Sequence, residues 1–143
     1  MPILFISLTV FFLDQLSKFF IVKALGGVST LPVVPGIFHL TPLTNPGVAF
    51  GLLRGYGVGV TLGTTLLLIG LLLSVLKGKK KGPALTVGLG LILGGAIGNL
   101  VDRLRVGGVI DFLDFRIWPV FNVADSCITI GAVLMAWHLL RHR

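Results

Sequence analysis

Carboxylates and thiols are scarce in this chain of 143 residues, which contains no glutamate, five aspartates and one cysteine. The single cysteine, Cys127, excludes an intrachain disulfide, and its apolar sequence neighbours favour a packing role. Three histidines without an HExxH or CxxC motif make a zinc site a poor interpretation. Ser126 lies outside a GxSxG motif and has no evident base partner, so the sequence does not favour a serine peptidase either.

Charged residues are also few, at 12%, whereas hydrophobic residues reach 55% and the mean hydropathy is +1.02. These values predict an integral membrane protein with a single domain, residues 1–143. The net charge of +7 would also suit a nucleic acid partner. However, four of the twelve cations stand together in 77–81, between two apolar segments. That distribution favours the positive-inside pattern of membrane proteins, and we expect no nucleic acid partner.

Four apolar segments have the length of transmembrane helices, for which about 20 residues suffice. They are predicted at about 3–22, 58–76, 84–101 and 123–140. The first contains Asp14 and Lys18, whose i,i+4 spacing puts both on one helix face, where they can pair. Inside a membrane such a pair indicates a structural ion pair or a group that acts in the bundle interior. In the third segment, the Gly94-x-x-x-Gly98 spacing permits a close approach of helices.

The region of about 23–57, between the first two helices, contains four prolines, which exclude a long helix. Its short β-branched and aromatic runs, and the turn signal Asn45-Pro46-Gly47, predict a small β-ribbon or sheet outside the membrane. The turn at 77–82 and the tail Arg141–Arg143 hold six cations and no acid. This predicts that both termini are cytoplasmic and that the ribbon is extracytoplasmic.

A cluster of carboxylates follows the third helix on the same outer side, and it contains four of the five aspartates: Asp102, Asp111, Asp114 and Asp125. Asn122 stands where the fourth helix begins, as an N-cap, and Asp125 occupies a capping-box-like position. Asp111 lies between apolar neighbours, so its burial would raise its pKa. A protonated carboxyl beside an ionised one is what an aspartyl hydrolase needs, provided that the linker between Asp111 and Asp125 folds back near Trp118-Pro119.

Other interpretations also fit the spacing of the acids, among them a metal-binding membrane protein and purely structural roles. A small four-helix transporter would use Asp14 as its coupling acid and could dispense with Asp111 and Asp125. A non-enzymatic membrane subunit would need none of the five aspartates. The spacing alone therefore leaves the function open.

Five sequence blocks, in order, resemble the signature blocks of lipoprotein signal peptidase, the signal peptidase II family. The blocks are DQLSK (14–18), NPGVAFGLL (45–53), GGAIGNLVDR (94–103), GVIDF (108–112) and FNVADS (121–126). They extend over nearly the whole chain. The resemblance implies an aspartyl endopeptidase of the bacterial inner membrane that removes signal peptides from prolipoproteins. It would cut just before a cysteine that carries a diacylglyceryl group.

The resemblance also implies roles for individual residues, with Asp111 and Asp125 as the catalytic pair. The supporting and substrate-binding residues would be Asp14, Lys18, Asn45, Gly47, Asn99, Asp102, Arg103, Asn122 and Ala124. Asp102 is the rival for a catalytic place, but its neighbour Arg103 suits a structural pair. Asp114 has no implied role and is interpreted as a solvated acid, and the linker between the catalytic acids is several residues shorter than the family pattern.

The same resemblance implies which molecules the protein meets. No metal or other cofactor is expected. The implied partners are diacylglyceryl-prolipoproteins, membrane lipids and globomycin-type inhibitors. We expect a monomer.

Overall fold

A computed structural model describes residues 2–46, 57–76 and 82–141. The elements in chain order are α1 (Pro2–Ala24), β1 (Leu31–Val34), β2 (Phe38–Asn45), α2 (Gly57–Leu76), α3 (Pro83–Val106), β3 (Val109–Asp114) and α4 (Val123–Arg141). Helices α1, α3 and α4 are long and apolar enough to cross a membrane, and α2 contains a shorter apolar stretch, Leu62–Leu71. The fold is therefore that of an α-helical membrane protein with one small sheet.

Helix α3 lies between α1 and α4 and contacts both at close range. A Cβ atom at Gly94 would lie 2.5 Å from a backbone oxygen of α1, and one at Gly98 would lie 2.5 Å from Asp14 Oδ2. On the opposite side of α3, a Cβ atom at Gly95 would lie 2.6 Å from the backbone oxygen of Ala124 in α4. The close approach predicted from the Gly94-x-x-x-Gly98 spacing is confirmed, and α3 uses glycine towards both neighbours.

Helix α3 is longer than the sequence predicted, because it continues to Val106 and not only to 101. It ends at Gly107, which has a φ of 76° and donates its N–H to the backbone oxygen of Arg103 at 3.1 Å. Arg103 and Arg105 favour helix and lie in the last turn, where the helix dipole favours cations. Asp102 therefore lies inside the helix, over one turn before its end.

The sheet has three antiparallel strands in the order β1-β2-β3, and its third strand was not predicted. The predicted ribbon was confined to about 23–57, whereas β3 comes from the segment between α3 and α4. Strand β3 pairs with β2 in a register that places Asp111 opposite Leu43 and Val109 opposite Asn45. This pairing puts Asp111 on a strand beside the end of β2.

After β3 the chain folds back on itself, as predicted for the linker between the two acids. The Leu113 N–H donates to the backbone oxygen of Phe121 at 2.8 Å, and the Phe121 N–H returns a bond to Leu113 at 3.1 Å. The turn between them passes through Arg116, whose φ of 65° is the left-handed conformation. The first turn of α4 is thereby brought beside β3.

Candidate active site

Lys18 lies at the centre of a polar cluster between α1 and α3. Its Nζ is 2.8 Å from Asp14 Oδ2 and 2.6 Å from Asp102 Oδ2, and the three side chains are only 0 to 2% exposed. The pairing of Asp14 with Lys18 is the one that their spacing predicted. Asp102, however, pairs with Lys18 and not with its neighbour Arg103, because consecutive residues of a helix do not face each other.

Buried charges are tolerated only when hydrogen bonds satisfy their remaining atoms. Asp14 Oδ1 accepts the backbone N–H of Ala124 at 3.0 Å, and Asp102 Oδ2 accepts that of Ile110 at 3.2 Å. Gln15 Nε2 donates to Asp14 Oδ2 at 3.2 Å and to Asp102 Oδ1 at 3.1 Å. The cluster therefore ties α1 to α3, to α4 and to the start of β3.

Gln15 is a site residue that the sequence reasoning did not select. An amide directly after a buried acid, inside an apolar helix, was the available signal. Within the DQLSK block, the resemblance implied roles for Asp14 and Lys18 and none for Gln15.

Two asparagines connect this cluster to the predicted catalytic acids. Lys18 Nζ donates to Asn99 Oδ1 at 3.1 Å, and Asn99 Nδ2 donates to Asp125 Oδ1 at 2.8 Å. Asn122 Nδ2 donates to Asp111 Oδ1 at 2.7 Å, while the Asp125 N–H donates to Asn122 Oδ1 at 2.8 Å. This last bond confirms Asn122 as the N-cap of α4. The carboxylate of Asp125 bonds to Asn99, which replaces the capping-box interpretation of that residue.

A cleft of about 810 Å³ opens beside the two acids. Its polar lining includes Asn45, Asn99, Arg103, Asp111 and Asp125. Its apolar lining comes from α2, α3, α4 and the turn after β3, and it includes Leu67, Ile92, Ile117, Trp118 and Ile128. The cleft can therefore present a pair of carboxylates to a ligand that is otherwise largely apolar.

The environment of Asp111 makes its ionisation difficult. Burial and the negative charge of Asp125 raise the pKa of Asp111 to about 6, although hydrogen bonds from Asn45 and Asn122 oppose the shift. The bond from Asn45 Nδ2 to Asp111 Oδ2 is 3.2 Å long. A carboxyl group with a pKa near neutrality, beside a second carboxyl group, is suited to exchange protons with a reacting molecule.

The other residues selected from the sequence lie in different surroundings. Arg103 lines the cleft, Ala124 is completely buried against α3, and Gly47 lies outside the described residues. Asp114 is not a solvated acid, as the sequence had suggested, because only 5% of it is exposed. It accepts the Thr41 hydroxyl at 2.9 Å and the Arg116 guanidinium at 3.2 Å, since β3 places it against β2.

The geometry brings Asp111 and Asp125 into one hydrogen-bonded group with seven of the predicted supports, and their catalytic roles stay predictions. The seven are Asp14, Lys18, Asn45, Asn99, Asp102, Asn122 and Ala124. Within the described ranges, no three His, Cys, Asp or Glu side chains come together as metal ligands would. The expected absence of a metal also stays a prediction.

Two solved structures of bacterial membrane enzymes, both obtained by the in meso method, are similar to this fold. One has a TM-score of 0.89 and 32% sequence identity, and the match covers 97% of this chain and 87% of that one. The other has a TM-score of 0.86 and 32% identity, with 99% and 94% covered. Apolar helices around a cleft that contains two carboxylates, in a fold shared with these structures, define a membrane enzyme.

Comparison with families of known sequence gives the particular kind of enzyme. A model of signal peptidase (SPase) II matches residues 6–141. The lipoprotein signal peptidase of Pelotomaculum thermopropionicum is 49% identical over 96% of this chain and 91% of its own length. That of Moorella thermoacetica is 47% identical over 98% and 93%. The chain belongs to the signal peptidase II family, and it is a peptidase.

Proposed function

We propose that this chain is an aspartyl endopeptidase that removes the signal peptide from diacylglyceryl-modified prolipoproteins, cutting just before the lipidated cysteine. The family and the names of its relatives support prolipoproteins as the substrate class. The observation that carries the aspartyl mechanism is the coupling of Asp111 and Asp125, which line one cleft and are joined through Asn122.

The mechanism is general acid and base catalysis by the two carboxyl groups. The ionised carboxylate takes a proton from water as the water oxygen bonds to the scissile carbonyl carbon, and the protonated carboxyl group gives its proton to the carbonyl oxygen. The C–N bond then breaks as the nitrogen takes a proton from one acid, while the other acid accepts a proton from the collapsing diol. One water is consumed, the products are a carboxyl group and an amine, and the pair of acids holds one proton at the end, as it did at the start.

The apolar lining of the cleft supports a substrate that stays in the bilayer. We infer that all four helices span the bacterial inner membrane, with both termini in the cytoplasm and the sheet and acids at the extracytoplasmic face. The acyl chains of the substrate then remain among membrane lipids while the scissile bond reaches Asp111 and Asp125. Globomycin-type peptides would occupy the same cleft. The two acids, the amides that bond to them and the lining of the cleft all belong to one chain, which supports a monomeric enzyme.

The surroundings of Asp14 do not favour the transporter interpretation. A coupling acid must bind and release its ion during transport. Asp14 is completely buried, and Lys18, Gln15 and the Ala124 N–H all donate to its carboxylate. We therefore propose no second function.

A cleavage assay with matched variants tests the proposal. Wild type, Asp111→Asn, Asp125→Asn and Asp102→Asn are purified and incubated with a diacylglyceryl-modified prolipoprotein, and the product is followed by gel shift. Loss of a general acid or base slows catalysis by about 10² to 10⁴, so Asp111→Asn and Asp125→Asn should show no product while still inserted in the membrane. Asp102→Asn, the control acid, should keep part of the activity.

The outcomes separate the parts of the proposal. If Asp102→Asn were inactive while Asp111→Asn still cleaved, the enzyme would be a peptidase with a different acid pair. If the wild type left this substrate intact, the proposed substrate would be wrong.

A further inference from the structure

We propose that Lys18, acting through Asn99, fixes the direction of the hydrogen bond at Asp125, and that the backbone N–H of Asp125, acting through Asn122, fixes the direction of the one at Asp111. The inner oxygen (Oδ1) of Asp111 and of Asp125 then only accepts, and the proton that the pair shares is confined to their other oxygens (Oδ2). The inference rests on the proposed function and deepens it. It makes Lys18 and Asn99 positioning residues, which act on the reaction through the pair Asp111 and Asp125, the dyad.

The direction of the first amide follows from the chemistry of lysine. An ammonium group has three donors and no acceptor, so the side-chain atom of Asn99 that faces Lys18 Nζ at 3.1 Å must be the oxygen. The NH₂ group of Asn99 therefore faces Asp125 Oδ1, at 2.8 Å. Reversing the amide would set NH₂ against the ammonium group in a buried site and leave Asp125 Oδ1 facing another oxygen.

The direction of the second amide follows independently from a backbone donor. The N–H of Asp125 points at Asn122 from 2.8 Å, so the atom that receives it must be the Asn122 oxygen. The NH₂ group of Asn122 then faces Asp111 Oδ1 at 2.7 Å, and it also approaches Asn99 Oδ1 at 3.2 Å. Two donors of different origin thus fix both amides in mutually consistent directions.

The consequence concerns the proton of the dyad. Each Oδ1 accepts a close hydrogen bond from an NH₂ group, at 2.8 Å for Asp125 and 2.7 Å for Asp111, which makes it the less favourable oxygen for the proton. Asp111 Oδ2 is 3.2 Å from Asn45 Nδ2, a longer contact, and Asp125 Oδ2 accepts no hydrogen bond from the described residues. The Oδ2 oxygens are therefore the ones that hold the proton and meet water and substrate. The Oδ1 oxygens, on the buried side of the dyad, hold the two carboxyl groups in place through their bonds to Asn99 and Asn122.

The charged groups that face the dyad come from two helices. They are Lys18 on α1, with its ion-pair partners Asp14 and Asp102, and Arg103 on α3, whereas the described part of α2 contains no charged residue. A variant at Asn99 leaves all four unaltered, so a change in the pH profile of such a variant reports the lost amide.

The first test is the pH dependence of kcat/KM for Asn99→Leu, a variant of similar volume. The carboxylate of Asp125 loses the hydrogen bond that its Oδ1 accepts, so ionisation of the acid pair becomes less favourable and the acidic limb of the profile should move up by about one pH unit. Losing a hydrogen bond to a charged group should also lower kcat by about tenfold to a hundredfold, with KM within about threefold. A purely structural role would reduce the amount of active enzyme and leave the limb in place. An unshifted limb would overturn the proposal.

The second test does not depend on activity. It compares Asp125→Asn, which replaces a carboxylate oxygen with NH₂, and Asn122→Asp, which replaces an NH₂ group with oxygen. In Asp125→Asn, the new amide can turn its oxygen to Asn99 and its NH₂ to the cleft, so its melting temperature in detergent should equal or exceed that of wild type. In Asn122→Asp, a carboxylate faces Asp111 Oδ1 and Asn99 Oδ1, and the melting temperature at pH 7 should fall by more than about 5 °C.

Either reversal contradicts the proposed hydrogen-bond directions: a clear loss of stability in Asp125→Asn, or a wild-type melting temperature in Asn122→Asp. These melting curves are valid even if wild type fails to cleave a prolipoprotein, which would overturn only the proposed function.

Discussion

Asp111 and Asp114 lie three residues apart on β3, and the exposed fractions of the two are similar, at 2% and 5%. The pKa values of the two acids are nevertheless shifted in opposite directions. Burial, together with the charge of Asp125, raises the pKa of Asp111 to about 6, whereas the pKa of Asp114 is held below its usual value. The exposed fraction alone therefore does not decide the charge state of either acid.

Burial and the partners of the two carboxylates together account for the difference in pKa. Asp111 receives neutral amide donors from Asn45 and Asn122 and faces a second acid. Burial alone would also raise the pKa of Asp114, but three donors outweigh it: the Arg116 N–H at 2.8 Å, the Thr41 hydroxyl and the Arg116 guanidinium. The layer that covers Asp114 is thin, since Arg116 is itself 53% exposed.

The strand itself separates the two environments. Side chains three positions apart on a strand point to opposite faces. One face of β3 presents Asp111 to the cleft and the helices, and the other presents Asp114 to the β2 side chain Thr41. A cation that neutralises its acid stabilises the fold at Asp114, whereas the pairing of acids at Asp111 is unfavourable for the fold and would serve the proposed catalysis.

The largest effect is expected at Lys18, the buried cation that is linked to Asp125 through Asn99. Lys18→Met leaves Asp14 and Asp102 buried without their common partner, and breaking a buried ion pair in this way destabilises by about 3–5 kcal/mol. We expect little folded protein in detergent, measured by thermal unfolding. Lys23→Met is the matched control, because Lys23 is an exposed lysine of the same helix, and its effect should stay within about 0.5 kcal/mol. Equal losses in both variants would contradict the assigned role of the cluster.

Features that depend on neighbours in the sequence were predictable from it. The apolar helices, the i,i+4 pairing of Asp14 with Lys18 and the N-cap at Asn122 all arise within a turn or two of helix. The fold-back of the linker also followed from its length and its turn residues. The supporting roles of Asn45 and Asn99 came from the family resemblance, because their local sequence does not indicate those roles.

Features that depend on distant partners were missed. The sequence of β3 looks like an apolar linker with two acids, and the segment forms a strand because it pairs with β2. The same pairing buries Asp114 against Thr41, which no local pattern indicates. The bond between Lys18 and Asp102 crosses from α1 to α3, so sequence reasoning assigned Asp102 to its neighbour Arg103 instead.

A second, smaller effect is expected from Asp111→Asn, and it should be stabilising. The carboxyl pKa is 3.8 in the unfolded chain and about 6 in the folded one, so the folded state binds this proton more tightly. Ionising Asp111 therefore costs the folded state about 3 kcal/mol above pH 6, and nothing below pH 3.8. The variant should be more stable than wild type at pH 7.5, with the difference shrinking as the pH falls through 6. Melting curves between pH 4 and 8 measure it, and a stability difference independent of pH would contradict the assignment.

The smallest effect is expected from Asp114→Asn, and it should have the opposite sign. The folded state holds the pKa of Asp114 below 3.8, so the ionised acid stabilises the fold above that pH, and this contribution is lost as the pH falls through the depressed value. With a partly exposed cation as partner, the loss at pH 7.5 should be about 1 kcal/mol. Thr41→Val, which removes one donor and keeps the guanidinium, should lose less. The melting temperature at pH 7.5 should therefore rise for Asp111→Asn and fall for Asp114→Asn, because burial beside a second acid disfavours the charge on Asp111 whereas the donors from Arg116 and Thr41 favour the charge on Asp114. Shifts of the same sign would contradict that explanation.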